Sequence, residues 1–369
     1  MQQKQVIITI QSGCGLYDEQ NLQNGKWIEL SDNFAYESEV IFIGNYQKGK
    51  KISKWDIQFR YYDNFQSIGG GSYNEDNLKD GEWIELSDNF HNFSQVLWHG
   101  KYNIGQKVDR WNCFYEGELI GSGFYDDLNL KNGKWIEPSD NFQYYRQIKF
   151  EGWYKNGKKI GKWDLYWQGE GKNQDFELIG GGYYNEQSIK IGIWIEISDD
   201  FQKLKQVVYK GEYQNGKKVQ IWKIQWRDQT QNQFIAIGGG QYNKKGMKIG
   251  KWIELSDQFQ IGSRIFFLGQ YKNCLKVGNW EIHYQDFEDN YQLIGGGFYD
   301  DETNLKNGIW IEQDDNFWNG NYQIWIGKYK NAQKIGDWIK MKRNESIKNQ
   351  DFQRVQYICN SSGEYQFNI

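Results

Sequence analysis

The stretch Trp135-Ile136-Glu137-Pro138-Ser139-Asp140-Asn141-Phe142, followed by Phe150-Glu151-Gly152-Trp153-Tyr154-Lys155-Asn156-Gly157-Lys158-Lys159-Ile160-Gly161-Lys162-Trp163, decides how this chain folds. Its first and last tryptophans stand 28 residues apart. The same interval separates Trp27 from Trp55, Trp83 from Trp111, Trp194 from Trp222, Trp252 from Trp280 and Trp310 from Trp338. A period of this length, kept over most of 369 residues, marks a repeat array. The expected organisation is six repeats, near 13–68, 69–120, 121–179, 180–237, 238–294 and 295–348, with residues 349–369 as a C-terminal capping hairpin.

Each repeat reads as four short strands. In the first, Trp27-Ile28-Glu29-Leu30 precedes the turn cluster Ser31-Asp32-Asn33-Phe34. Val40-Ile41-Phe42-Ile43-Gly44-Asn45-Tyr46 is rich in strand formers. Beyond a lysine-rich turn, Trp55-Asp56-Ile57-Gln58-Phe59 alternates apolar and polar residues with the period of two of a half-buried strand. Ile68-Gly69-Gly70-Gly71-Ser72-Tyr73 closes the set. In the second strand of every repeat a glycine lies between an aromatic two residues before it and a tyrosine two residues after it, as in Phe42-x-Gly44-x-Tyr46. The three share one face, and the glycine leaves a notch for a neighbouring indole.

The fold class is therefore all-β: a tandem β-hairpin array forming an elongated, coiled or rolled antiparallel sheet. Open twisted sheets rarely exceed ~10 strands without curling, and this chain offers about four per repeat. Its core must be aromatic, because aromatics make up 18% of the chain while the mean hydropathy is −0.87.

Composition also narrows function. A net charge of −4 and a pI near 5.6 exclude the basic footprint of a nucleic-acid binder. Four scattered cysteines, Cys14, Cys113, Cys274 and Cys359, fit free thiols in a reducing compartment. Met1 to Gly15 lacks a signal peptide's apolar stretch, so a cytoplasmic location is expected.

No catalytic, cofactor-binding or metal residues are expected. The aligned glutamates Glu29, Glu85, Glu137, Glu196, Glu254 and Glu312 fall roughly 19 Å apart at four strand spacings, too far to pair as acid and base. Strand-end ion pairs with lysine explain them better. The Ser-Asp-Asn-Phe turns supply too few oxygens for calcium. Gly69-Gly70-Gly71 lacks the Gly-Lys-Ser/Thr and following helix of a phosphate loop. His91, His99 and His283 stand in different contexts and suggest no triad.

Two sets of residues are candidates for partner contact. Lys51, Lys107, Lys159, Lys218, Lys276 and Lys334 recur in the second turn of each repeat, although acidic turns on the same edge cancel much of their field. At the N-terminus, Val6-Ile7-Ile8-Thr9-Ile10 is β-branched and almost uncharged; Val6, Ile8 and Ile10 mark an open edge for a partner strand or for self-association.

The run Gly152-x-Tyr154-x-Asn156-Gly157-Lys158-Lys159-x-Gly161-x-Trp163 resembles MORN-type repeats, in the tryptophan-bearing variant seen in toxin–antitoxin-like repeat proteins and expanded in protists. The resemblance covers residues 13 to 338. It implies serial antiparallel hairpins, with roles in scaffolding, protein docking, or attachment to membranes and cytoskeleton. The half-units here are longer than a usual MORN repeat, and glycines of the pattern are replaced at Ser53, Asp109, Gln220 and Cys274. The reading that follows is a non-enzymatic scaffold for protein partners, with no cofactor and no nucleic acid. Its rival is a carbohydrate or small-ligand module that uses exposed aromatic rows.

Overall fold

The computed structural model describes residues 14–169, 175–228, 232–286, 290–318, 322–343, 353–359 and 365–366. The expected N-terminal edge at Val6, Ile8 and Ile10 lies outside them. The chain packs as two compact bodies, Met1–Ile189 and Lys190–Ile369. Among the described residues both are all-β, without helix.

In the first body the strands are β1(Cys14–Tyr17), β2(Gln23–Leu30), β3(Val40–Gln47), β4(Lys50–Tyr61), β5(Asn64–Tyr73), β6(Lys79–Leu86), β7(Val96–Asn103), β8(Gln106–Tyr115), β9(Glu118–Tyr125), β10(Lys131–Pro138), β11(Gln147–Lys155), β12(Lys158–Gln168) and β13(Glu177–Tyr184). From β1 through β12 each pairs antiparallel with the next, as serial hairpins require. The second body, from β14(Lys190–Ile197) to β24(Gln333–Arg343), is built the same way. At its end β25(Gln353–Cys359) pairs with β24, and β26(Tyr365–Gln366) pairs with β25.

One face of each sheet carries the aromatic core. In the first body the rings run Trp55–Tyr73–Trp83–Tyr102–Trp111–Tyr125–Trp135–Tyr154–Trp163, each edge-to-face on the next with centroids 5.1 to 6.2 Å apart. The second body repeats the ladder from Trp194 to Trp338. Edge-to-face contacts of this kind contribute about 0.5–1.5 kcal/mol each beyond area burial. The glycine notch is filled by the indole of the following strand. A Cβ added at Gly152 would sit 2.3 Å from Cδ2 of Trp163, and one at Gly44 would sit 2.2 Å from Cδ2 of Trp55.

A second apolar row runs beside the ladder on the same face, for example Val40, Ile57, Phe59 and Phe90 in the first body. Here the turn cluster takes part in the core. Each Ser-x-x-Phe turn is closed by the phenylalanine N–H donating to the serine carbonyl, as from Phe142 to Ser139 at 2.9 Å. The phenylalanine ring then folds back under the preceding hairpin. Phe90 meets Phe59, Phe142 meets Tyr115, and Phe259 meets Trp226.

Successive loops are also joined directly. The Ser94 hydroxyl donates to the Phe142 carbonyl at 2.5 Å, Tyr144 N–H to Phe93 O at 3.0 Å, and Ile261 N–H to Leu204 O at 3.1 Å. At the opposite strand ends each lysine-turn tip donates back to an earlier strand, as Gly157 N–H does to Lys131 O at 2.9 Å.

The last full repeat departs from the others on this face. Asp314 replaces the turn serine and is buried, paired to Lys340 at 2.8 Å and accepting the Trp325 indole N–H at 2.8 Å. Lys340 holds a place that Ile57, Leu165 and Ile224 fill elsewhere, so the charge visible after Trp338 has its counter-ion inside the repeat.

The replaced glycines retain the backbone of the pattern. Gly161 has φ +64, while Ser53, Asp109 and Gln220 take φ 56 to 58 at the equivalent place. A left-handed backbone costs a side-chain-bearing residue roughly 1–2 kcal/mol, against about 0.5–1 kcal/mol for glycine's extra unfolded-state freedom. Ser53→Gly is therefore expected to stabilise the protein by about 0.5–1 kcal/mol, read as a shift in urea midpoint at constant slope. An unchanged or lower midpoint would contradict this.

Candidate functional site

On the tryptophan face the second to sixth repeats assemble the same polar cluster, and the first has a reduced form of it, with Gln23 in place of one lysine and Glu29 held by Tyr46 and Lys51. The Trp-Ile-Glu strand places its glutamate beside the indole, because residues two apart share a face. In the third repeat Glu137 accepts the Tyr154 hydroxyl at 3.0 Å and meets Lys131 at 2.7 Å and Lys159 at 2.8 Å. Glu85 is held in the same manner by Tyr102, Lys79 and Lys107, and Glu196 by Tyr213, Lys190 and Lys218. Each lysine also covers an indole face: Lys159 Nζ lies 3.9 Å from the Trp163 ring centroid, and Lys131 Nζ lies 4.4 Å from that of Trp135.

The electrostatics follow from this packing. Burial pushes the Glu137 carboxyl up, but the ammonium groups of Lys159 and Lys131 more than offset it and hold it below the usual glutamate range. The same balance, burial against two lysines, lowers Glu85, Glu196 and Glu254. Burial raises the tyrosine hydroxyls, with Tyr125 pushed up to about 12 by burial and by the charges of Glu137 and Glu85.

These carboxylates have folded-state values below the ordinary 4.5. Their contribution to stability is full above pH 4.5 and disappears as the pH falls through the lower folded-state values. Denaturant unfolding from pH 7 to pH 2 should show a plateau at neutral pH and a decline that begins as the pH falls through the ordinary glutamate value of 4.5 and continues below it. Stability that holds level down to pH 3 would contradict the pairing.

Between consecutive clusters the face is hollowed. In the first body a cavity of about 760 Å³ is bounded by Glu85, Glu137, Lys107, Lys131, Tyr125 and the turn residue Asp140, among others. A preceding one of about 520 Å³ repeats the arrangement around Glu29, Lys51, Tyr73 and Asp88. The second body has its counterpart, about 720 Å³, around Glu254, Lys218, Lys248, Tyr242 and Asp257. Each cavity joins an aromatic floor to a neutralised Glu–Lys layer and an acidic rim.

The candidate lysines of the sequence reading lie in this layer. Lys51, Lys107, Lys159, Lys218, Lys276 and Lys334 are each paired to the glutamate of their own repeat. The first five keep only 26–31% of their side-chain surface, while Lys334 keeps 54%. A partner that reaches these lysines meets the glutamate as well. The turn phenylalanines and the loop-to-loop bonds that shape the rim were not foreseen from sequence. Their only trace there is an apolar residue recurring at the end of a polar turn.

Among the described residues no group of His, Cys, Asp and Glu could hold a metal ion, and no helix is long and apolar enough to cross a membrane. His99 is half-buried with its pKa lowered by burial, and His283 pairs with Glu281 at 2.8 Å. Cys113 is buried with its thiol pushed up by burial, whereas Cys14 and Cys274 are exposed. No protein-family model and no curated protein matches the chain.

Proposed function

We propose that the protein is a non-enzymatic interaction scaffold that presents one kind of groove, repeat after repeat, to an extended protein partner. The recurrence of the cavity carries the reading: the same aromatic floor, Glu–Lys–Lys layer and acidic rim appear at about 520, 760 and 720 Å³. Repeats that stack their surfaces in register offer several weak sites to one chain, and linked weak sites add avidity without new contacts. Among the described residues, the glutamates, lysines and tyrosines of this face are spent on one another, which supports a binding role. The MORN-type resemblance supports docking at proteins, membrane surfaces or cytoskeleton, and the sequence favours a cytoplasmic setting.

The rim gives the test. Asp88, Asp140 and Asp257 are exposed turn residues. Cross-linking and affinity capture from the native cell should recover a defined partner with the wild-type chain. Asp88→Lys/Asp140→Lys/Asp257→Lys should lose that partner while it keeps its β-sheet spectrum. An unchanged captured set would overturn the groove as the docking surface.

A further inference from the structure

The opposite face of the first body carries a feature that the repeat does not need. On the second and fourth strands of each repeat, the residue between the glycine and the tyrosine points away from the indole ladder, because its two neighbours point into it. Elsewhere this place is held by polar residues such as Asn45, Ser72, Lys101, Glu212, Gln241 and Gln270, with Leu16 and Phe298 as isolated apolar cases. On β9, β11 and β13 it is held in succession by Phe124, Trp153 and Tyr183. These rings are 50%, 54% and 51% exposed. Packing does not demand them, since the fold accepts asparagine, serine and glutamine there.

Three rings on alternate strands of one sheet are separated by about 10 Å across the strands, two strand spacings each, in an oblique row: Phe124 faces Asn132 and Trp153 faces Lys134 on β10, and Trp153 faces Ile160 and Tyr183 faces Lys162 on β12. Between them lie hydrogen-bonding side chains, two of them lysines paired to carboxylates and one an arginine on neutral partners. Lys134 stands opposite Trp153 and is bound to Glu151 at 2.6 Å. Lys162 stands opposite Tyr183 and is bound to Asp164 at 3.0 Å. Arg110 lies 5.7 Å from the Phe124 centroid and donates to the Ser122 hydroxyl at 3.0 Å.

We propose that this platform binds a neutral, linear β-linked polysaccharide laid across the strands. A pyranose ring has an apolar C–H face that stacks on an aromatic ring and a rim of hydroxyls that needs both donors and acceptors. A β-1,4-linked chain is a flat ribbon that turns the same face outward at every second sugar, which suits rings on alternate strands. The charge pattern decides against single-stranded nucleic acid, whose sites add unpaired cations to their stacking rings. Here both lysines already hold a carboxylate, which leaves Arg110, held by the Asn112 and Ser122 side chains, as the one of these three cations not paired to an anion. A proline-rich peptide would need an aromatic-lined groove, whereas these rings lie on an open sheet face.

The repeats themselves supply safe substitutions for the test. Trp153→Gln, Phe124→Ser and Tyr183→Gln install the residues that Gln270, Ser72 and Gln241 already provide at equivalent places. Isothermal titration of the full chain with cellohexaose and chitohexaose should show binding to at least one of them. Trp153→Gln should weaken it at least tenfold, and the triple variant should abolish it with an unchanged melting temperature. The same triple variant leaves the groove rim intact, so protein capture through Asp88, Asp140 and Asp257 should persist; the two readings therefore fail separately. Absence of binding to both sugars, affinity that survives in the triple variant, or tighter binding of an oligo-dT strand that the substitutions abolish would each overturn the proposal.

Discussion

Trp163→Ala is expected to cost about 3–5 kcal/mol of folding stability, the range for truncating a large buried aromatic. The indole is 2% exposed and stands between Tyr154 at 5.1 Å and Tyr184 at 6.3 Å. Beneath it Gly152 has no side chain, so its removal exposes bare backbone on one side and leaves Lys159 without a ring to cover on the other. The neighbouring rings are anchored by their own strands and cannot collapse into the gap. Urea unfolding followed by circular dichroism measures the loss, and a value below about 1 kcal/mol would mean the indole is no part of the core.

Phe142→Ala should be nearly as damaging, again about 3–5 kcal/mol. Its ring is 1% exposed and packs among Val96, Cys113, Tyr115 and Ile120, with Tyr115 edge-to-face at 5.2 Å. The residue belongs to one repeat and fills the core of the repeat before it, so truncation loosens the joint between them. Phe142→Leu keeps most of the volume and should cost under about 1.5 kcal/mol. Equal losses for the two variants would show that the turn, and not the ring, matters.

These two residues also show what the sequence discloses. Trp163 and Gly152 are legible because strand alternation fixes which side chains share a face, and a glycine between two aromatics can only serve a large neighbour. The all-β hairpin array follows from the same local pattern. Phe142 is not legible, since its partners lie in the preceding hairpin and nothing nearby marks an apolar turn residue as a plug. The pairing of Lys340 with Asp314 hides in the same way: the charge stands out in the sequence, but its counter-ion comes from a turn earlier in the chain.

The glutamates show an intermediate case. A lysine partner is readable from composition, but the fork of two lysines and a tyrosine, as on Glu137, needs the register of three strands. Phe124, Trp153 and Tyr183 are visible as aromatics, and only their placement opposite the ladder separates them from the core.

The central claim is that the chain is an array of interchangeable repeats stabilised by contacts between neighbours. Deleting residues 121–179 tests it most directly, because Glu118-Leu119-Ile120 then runs into Gly180-Gly181-Gly182-Tyr183-Tyr184, and the glycine–tyrosine pattern continues unbroken. The shortened chain should fold with the same β-sheet spectrum and unfold cooperatively, with a denaturant slope reduced in proportion to the lost surface. A chain that is unfolded, or that aggregates under conditions where the parent is soluble, would contradict the account.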